Sequence, residues 1–303
     1  MSSPSAAVTA AVSASVSASV PGAFAPYTLT LPQGEALPLI GDSPHSGTTY
    51  PSDFRFAADF LDVRSGEDTY VHELWSQLPA YGGTLLAAEF PRSYIDPNRE
   101  LEDIDPAMLD APWPGPLNPG EKTRLGIGLI WRDSNKKAIY DRKLTPAEVQ
   151  SRIERFHVPY HLALNAQIEA AYQKFGAVWH MNLHSMPGNS YESLQIKSDH
   201  PLADFVLGDR DGTTCSPEFL DVVATALRKC GYSVAINDPF KGVALIGRIG
   251  RPLENRHSMQ IEVQRYLYMN EQNFERNDHF VKLQADLVGV TKTVASYIQE
   301  KLA

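Results

Sequence analysis

Residues 177–183 read Ala-Val-Trp-His-Met-Asn-Leu, a short and mostly apolar run. A long amphipathic segment precedes this run and ends at Gly176, and another amphipathic segment begins further on, at Ser216. Short apolar runs of this kind predict buried strands, and longer amphipathic runs predict helices. The same alternation extends from Leu37 onward. It predicts a single α/β domain with a mainly parallel or mixed central sheet flanked by helices.

The predicted strands share a short length and a high apolar content, and they lie at residues 37–41, 84–90, 177–183, 204–208, 233–237 and 258–263. Helices are predicted at residues 145–175, 216–230 and 279–302. The first helix begins with a capping box, because Thr145 precedes Glu148 by three positions, and Pro159 is expected to kink it. The segment 91–143 is rich in proline and acidic residues, which predicts a long surface excursion.

Residues 1–26 are rich in Ala, Ser and Val and contain neither Lys nor Arg. A secretory signal needs a basic start and an apolar centre, and this stretch has neither. Its low complexity predicts a disordered tail, so residues 27–303 are expected to form the one folded domain.

The composition restricts the class of protein. The chain of 303 residues has 27 Lys plus Arg against 36 Asp plus Glu, a formal net charge of −9, which disfavours binding to nucleic acid. No apolar run is long enough for a membrane span. The two cysteines, Cys215 and Cys230, are too few for a disulfide framework, which suits a reducing cytoplasm. The oligomeric state stays open.

Side chains of the metal-ligand and acid/base types stand at the ends of several predicted strands or at a predicted helix start, namely His45, Asp68, Glu73, His184 and Glu262. In an open α/β sheet the carboxyl ends of the strands line a crevice in which ligands bind. Two imidazoles, one ligating carboxylate and one free carboxylate are the groups that a hydrolytic zinc site requires. No short-range motif ties His45 to His184, so the pattern alone leaves ordinary hydrogen-bonding roles open.

Six segments resemble, in the same order, motifs of the N-formylglutamate amidohydrolase family: Pro44-His-Ser-Gly47, Ile95-Asp-Pro-Asn-Arg99, Pro159-Tyr-His-Leu-Ala-Leu164, Leu183-His-Ser-Met186, Phe240-Lys-Gly242 and Gln260-Ile-Glu-Val263. The resemblance covers roughly residues 37–275. It implies a fold like that of zinc carboxypeptidases and aspartoacylase (phosphorylase/hydrolase-like). It also implies zinc-dependent hydrolysis of N-formyl-L-glutamate to formate and glutamate, a late step of histidine degradation.

The resemblance also implies roles for individual residues at the reacting centre. His45 and His184 match the metal-site histidines of the family, and Glu262 matches its general base. Asp68 matches the carboxylate ligand, with Glu73 as the alternative. Arg92 is expected to help stabilise the oxyanion of the transition state.

The residues expected to bind the substrate are Asn98, Arg99, His161, Asn237 and Lys241. Asn98 and Arg99 resemble a pair that grips a substrate carboxylate, although an exposed arginine more often forms a surface ion pair, here with Asp96 or Glu100. Lys241 is expected at the second carboxylate, and otherwise it is simply solvated.

Two departures from the family pattern leave the acyl-amino acid open. Val243 stands where the family often has a glycine, and the acidic stretch at 100–121 has no counterpart in the family motifs. Another zinc deacylase, acting on formimino-, succinyl- or acetyl-amino acids, is therefore an alternative. A non-catalytic protein that binds acidic amino acids is a more distant one.

Overall fold

A computed structural model of the protein describes residues 24–303, and its core is a seven-stranded sheet. The strands of the described chain are β1 Tyr27–Thr30, β2 Leu39–Ser43, β3 Thr84–Ala88, β4 Asp133–Ser134, β5 Lys137–Ala138, β6 Val178–Met186, β7 Phe205–Gly208, β8 Val234–Ile236 and β9 Arg256–Gln264. The order in the sheet is β1-β3-β2-β6-β9-β7-β8, and β4 and β5 form a separate hairpin.

The sheet is mixed, as the sequence allowed. Strands β3, β2, β6 and β9 run parallel to one another in its centre. Strand β1, which the sequence did not predict, pairs antiparallel with β3 at one edge. At the other side β7 runs antiparallel to β9, and β8 runs parallel to β7. The chain therefore leaves β7 and β8 in the direction opposite to that of β6 and β9.

The helices of the described chain are α1 Phe60–Arg64, α2 Val71–Leu74, α3 Glu121–Arg124, α4 Pro146–Arg152, α5 Val158–Phe175, α6 Ser190–Ser193, α7 Pro217–Lys229, α8 Ala244–Ile249 and α9 Phe280–Leu302. The predicted capping box is confirmed, because the Thr145 hydroxyl and the Glu148 carboxylate each accept the other residue's backbone N–H. Around Pro159 the helix passes through a π-helical turn, Ile153–His157, between α4 and α5. Proline has no N–H for the usual i→i−4 bond, and a π turn relieves that mismatch.

Apolar clusters cover both faces of the sheet. On one face α2, α7 and α9 pack against alternate residues of the central strands, such as Met181 of β6 and Ile261 of β9. The other face is covered by α4, α5, α8 and part of the segment 91–143. On this second face β6 presents His180, Asn182 and His184, which are all buried. The polar side of the strand is therefore an internal layer and not a solvated surface.

Several predicted boundaries change. Strands β6 and β9 stay paired through Met186 and Gln264, so that His184 and Glu262 lie within strands and not after them. The segment 91–143 is only partly a surface excursion, because Ile95, Leu129 and Ile139 are buried in the second cluster. Its apolar residues are scattered among prolines and acidic residues without a regular period, so no helix or strand pattern marks them as core.

The predicted disordered tail at 1–26 lies outside the described residues except for its last three. Of these, the Phe24 ring packs with its centroid 5.6 Å from that of Phe156. Within residues 24–303, no helix has both the length and the apolar character needed to cross a membrane.

Candidate active site

Three buried side chains form a group able to hold a metal ion. Ligand atoms of His45, Asp68 and His184 all lie within 4.8 Å of one another. His45 stands in the turn after β2, Asp68 in the loop before α2, and His184 in β6. Nδ1 of His45 and Nδ1 of His184 lie 3.4 and 3.0 Å from the same carboxylate oxygen, Oδ2 of Asp68. One site is therefore approached from three separate parts of the chain.

The outer nitrogens of both imidazoles are occupied. Nε2 of His45 lies 2.7 Å from Oδ1 of Asp96, and Nε2 of His184 lies 2.7 Å from Oδ1 of Asn182. Because a carboxylate and an amide oxygen can only accept, each ring donates from Nε2 and keeps its lone pair on Nδ1. Nδ1 of His45 is buried and has no hydrogen-bond partner among the described residues. Such an orphaned acceptor, facing a second imidazole and a carboxylate, fits a divalent cation.

The orientation of the Asn182 amide is itself fixed from below. Its Nδ2 donates to Oδ1 of Asp42 at 2.8 Å, which turns its oxygen toward His184. Asp42 also accepts hydrogen bonds from His180 and Tyr160, each at 2.8 Å. Burial raises the pKa of Asp42, but the hydrogen bond and charge of His180 outweigh it and hold the pKa below its usual range. The buried layer on this face of the sheet thus sets the tautomer of a metal-site histidine.

Asp96 plays the matching part for His45. It is fully buried and also accepts from Nε and Nη2 of Arg92, at 3.2 and 2.9 Å, and from the Trp131 indole at 3.2 Å. Burial raises its pKa, but the charges of Arg92 and Arg99 hold the pKa well below the ordinary value. Asp96 therefore stays ionised as the acceptor for the imidazole N–H.

A buried arginine supports the third member of the group. Nη2 of Arg265 lies 3.2 Å from Oδ1 of Asp68, and its Nη1 donates to the backbone oxygen of Ser65 at 2.8 Å. Burial raises the pKa of Asp68, but hydrogen bonds from His184 and His45 hold it well below its ordinary value. Asp68 can therefore offer Oδ2 to a cation while Arg265 neutralises its other oxygen.

Glu262 lies beside this group without belonging to it. It is the cross-strand neighbour of His184 in the pairing of β6 with β9, and Gln260 donates to its Oε1 at 2.7 Å. Burial raises the pKa of Glu262 to about 7, with the charge of His184 acting in the opposite direction. A carboxylate with a pKa near neutrality is suited to take up and release a proton.

Asn98 and Arg99 also reach the site. Nδ2 of Asn98 lies 3.1 Å from Nε2 of His184. Arg99 is buried, and it donates to the backbone oxygens of Ile127 and Asn98 at 3.0 and 2.9 Å. Its Nη2 stays 3.7 Å from Asp96, and burial lowers its pKa. Arg99 is thus an internal guanidinium beside the metal-ligand group and not a surface ion pair.

His161 lies beneath that turn and pairs with a second histidine. The rings of His157 and His161 are 4.3 Å apart, and their Nε2 atoms lie 3.1 and 2.8 Å from the backbone oxygens of Arg99 and Pro97. Burial lowers the pKa of His157 to about 4 and that of His161 to about 3. Both rings are therefore neutral donors near pH 7, and they hold the two carbonyls that flank Asn98.

This geometry makes His161 a brace for the Asn98 turn, and a substitution can separate that role from proton transfer. We expect His161→Gln, whose Nε2 can still donate to Pro97, to change kcat/KM by only a few-fold. His161→Leu leaves a buried carbonyl unsatisfied and should cost about 10-fold or more. Steady-state kinetics of both variants checks this. Equal and large losses in the two would instead indicate that the imidazole transfers a proton.

Three other candidates have partners away from the group. Glu73 forms an ion pair with Arg276. Nδ2 of Asn237 donates to Asp209 at 2.7 Å, and the exposed Lys241 pairs with Asp211 at 3.0 Å. The physical reason for the last two is the direction of β7 and β8. They run antiparallel to β9, so the loop after β8 leaves the sheet toward the Arg256 end of β9 and away from Glu262.

Comparison with known proteins agrees with this geometry. A family model described as N-formylglutamate amidohydrolase matches residues 37–269. The chain belongs to this family. It is similar to N-formylglutamate deformylases of Pseudomonas putida (27% identical, covering 80% of this chain and 85% of the relative) and Pseudomonas aeruginosa (25%, covering 88% and 92%). It is also similar to the crystal structure of N-formylglutamate amidohydrolase from Ralstonia eutropha JMP134, at 61% identity and a TM-score of 0.91, covering 92% of this chain and 100% of that chain.

In this member of the N-formylglutamate amidohydrolase family, the sequence did not single out three residues that support the metal-ligand group. Asp96 stood inside a quoted motif but was considered only as an ion-pair partner of Arg99. Asn182 alternates with apolar neighbours in β6, where a polar side chain usually faces solvent. Arg265 follows β9 by one residue, and an arginine there is ordinarily exposed. Only the fold brings these three to the imidazoles and Asp68.

The pKa of Glu262 has a consequence for stability in the metal-free amidohydrolase. The folded state holds its proton up to a pH of about 7, whereas the unfolded chain releases it near the ordinary value of 4.5. The stability associated with the protonated form is full below pH 4.5 and is lost as the pH rises through 7. We expect Glu262→Gln to raise the Tm of the metal-free protein clearly at pH 8 and much less at pH 5. Thermal unfolding at both pH values tests this, and an equal shift at the two would contradict it.

Proposed function

We propose that residues 27–303 form one amidohydrolase domain that hydrolyses N-formyl-L-glutamate to formate and L-glutamate. In this proposal His45, Asp68 and His184 hold one divalent ion, zinc, and Glu262 is the general base. The observation that carries the proposal is the convergence of the three ligand atoms, with an unpartnered Nδ1 on His45, next to a carboxylate of pKa about 7. The names of the similar proteins support formylglutamate as the substrate.

An ion of this kind supplies Lewis-acid activation of water and of the amide carbonyl. The protein's own residues supply the proton transfers. Oε1 of Glu262 accepts a hydrogen bond from Gln260, which leaves Oε2 to take the proton of the attacking water. The same carboxyl then delivers that proton to the departing amine nitrogen.

Two guanidiniums orient the substrate and its developing charge. Nε and Nη2 of Arg92 are anchored on Asp96, so Nη1 is the donor that serves the oxyanion. Arg99 is held by two backbone carbonyls, and beside Asn98 it receives a carboxylate of the substrate. Because both groups are fixed before the substrate binds, little orientation is lost on binding.

The proposal places the reaction at the release of glutamate in histidine degradation and the enzyme in the cytoplasm. The two free cysteines, Cys215 and Cys230, are in line with a reducing compartment.

A substrate panel tests the acyl group and the amino acid together. Zinc-loaded protein is assayed for release of the free amine from N-formyl-, N-acetyl-, N-succinyl- and N-formimino-L-glutamate and from N-formyl-L-aspartate. We expect kcat/KM for N-formyl-L-glutamate to exceed the others by about 10-fold or more, as a site built around polar groups of its substrate discriminates. A preference for another acyl group would replace the substrate. Binding of N-formyl-L-glutamate without turnover of any compound would favour the non-catalytic binding protein.

A further inference from the structure

A lysine in the segment 91–143 lies close to Arg99 without a partner of its own. Lys122 belongs to the short helix α3, and its backbone oxygen accepts the N–H of Ile127 at 2.9 Å. The backbone oxygen of Ile127 in turn accepts Nε of Arg99 at 3.0 Å. Lys122 and Arg99 are therefore tied to the same residue, one through its N–H and the other through its carbonyl.

The charges around Lys122 are mostly positive. Burial lowers its pKa, and so do the charges of Arg99 and Arg92, while Glu121 and Glu262 act in the opposite direction. Within residues 24–303 other lysines form ion pairs with carboxylates, and Lys122 forms none. It is nevertheless half-buried. The ammonium is thus partly desolvated next to two guanidiniums.

The neighbouring cations are not equally satisfied. Arg92 donates twice to Asp96, whereas Nη2 of Arg99 stays 3.7 Å from the same carboxylate. Asp103 also acts on Arg99, but its Oδ1 already accepts from Thr123 and from the backbone of Gly120. Buried cations are normally paired, because desolvation of an isolated charge is costly. Arg99 and Lys122 together therefore suit a ligand that carries two anionic groups.

We propose that Lys122 binds the side-chain carboxylate of the substrate, while Arg99 binds its α-carboxylate. This assignment rests on the proposed function. Asn98, the neighbour of Arg99, touches His184, so Arg99 is the cation nearer the scissile amide. The α-carboxylate is the one next to the amide nitrogen, and the side-chain carboxylate extends further out toward Lys122. Lys122 thus takes the role that the sequence gave to Lys241, whose ammonium pairs with Asp211 at the surface.

Binding measurements can test this without turnover. Zinc-loaded Glu262→Gln protein is titrated calorimetrically with N-formyl-L-glutamate and with N-formyl-L-glutamine, in which the side-chain carboxylate is capped. With Lys122 intact, we expect the glutamate compound to bind about 10- to 100-fold more tightly, as for a hydrogen bond to a charged group. Addition of Lys122→Met should reduce this preference to less than about 3-fold by weakening only the glutamate compound. Lys122→Arg should keep part of it.

Two further lysines complete the design. Lys143→Met removes an exposed lysine of the same segment and should leave the preference unchanged. If Lys122→Met weakened both compounds equally or neither, or if Lys241→Met abolished the preference instead, the assignment would be overturned. A substrate with only its α-carboxylate capped must still lose affinity on Lys122→Met, and the reverse would exchange the two cations. Absence of turnover by the wild-type enzyme would overturn the proposed function, and the binding preference would still decide the role of Lys122.

Discussion

Glu262→Gln should keep its bound metal and lower kcat for N-formyl-L-glutamate by about 10²- to 10⁴-fold, the usual contribution of a positioned general base. The physical reason is that Glu262 lies beside the metal-ligand group, has a pKa of about 7 and is not one of the ligands. Glutamine keeps the shape and the acceptor for Gln260 but cannot take up a proton at neutral pH. The measurement is kcat together with the metal content of the same sample.

Glu73→Gln is the matched control for this variant, because Glu73 is a partly exposed carboxylate paired with Arg276. It should retain nearly the wild-type kcat. If Glu262→Gln turned over substrate at close to the wild-type rate with its metal in place, Glu262 would not be the base. A loss of metal in that variant would instead make Glu262 a ligand.

The second large effect concerns the ligands themselves. His184→Ala and Asp68→Ala should reduce the metal content from about one ion per chain to well below one, because a three-ligand site loses one of its few bonds. Asp96→Asn removes only the charge behind His45 and should weaken metal binding by about 10- to 100-fold. Elemental analysis and competition with a chelator measure both.

The control for the carboxylate ligand is Glu73→Ala, which should retain the full metal content. If Glu73→Ala lost the metal and Asp68→Ala kept it, the ligand set would have to be reassigned. Undiminished metal in both His184→Ala and Asp68→Ala would remove the site altogether.

The sequence was informative where the chemistry depends on local pattern. The alternation of apolar and amphipathic runs placed six strands and the long helices close to where they lie. The capping box at Thr145 predicted the start of α4 correctly. Histidines and carboxylates near the predicted strand ends indicated His45, Asp68, His184 and Glu262, and the structure brings these four side chains together.

Long-range pairing was beyond the reach of such patterns. The direction of β7 depends on its contact with β9, more than 50 positions away in sequence, and no local feature of residues 204–208 encodes it. A mainly parallel sheet would have carried Asn237 and Lys241 toward the metal-ligand group. The antiparallel pairing instead sends them toward Asp209 and Asp211.

The buried polar layer was hidden for a related reason. His180 and Asn182 alternate with apolar residues along β6, a pattern typical of a strand with one solvated face. In the fold, α5 covers that face, and Tyr160 of α5 contributes a hydroxyl to the same network through Asp42. Each polar group is satisfied inside the protein, and the chain of hydrogen bonds ends at a metal-site histidine.

The central claim is that metal held by His45, Asp68 and His184 is required for hydrolysis of N-formyl-L-glutamate. The most direct measurement is formate release by one preparation as isolated, after complete chelation, and after stepwise return of Zn²⁺, with metal content determined at each step. The account predicts that chelation abolishes formate release and that activity returns in proportion to bound zinc, reaching its plateau at about one ion per chain. Undiminished formate release from chelated protein, or none from protein that holds a full equivalent of zinc, would contradict it.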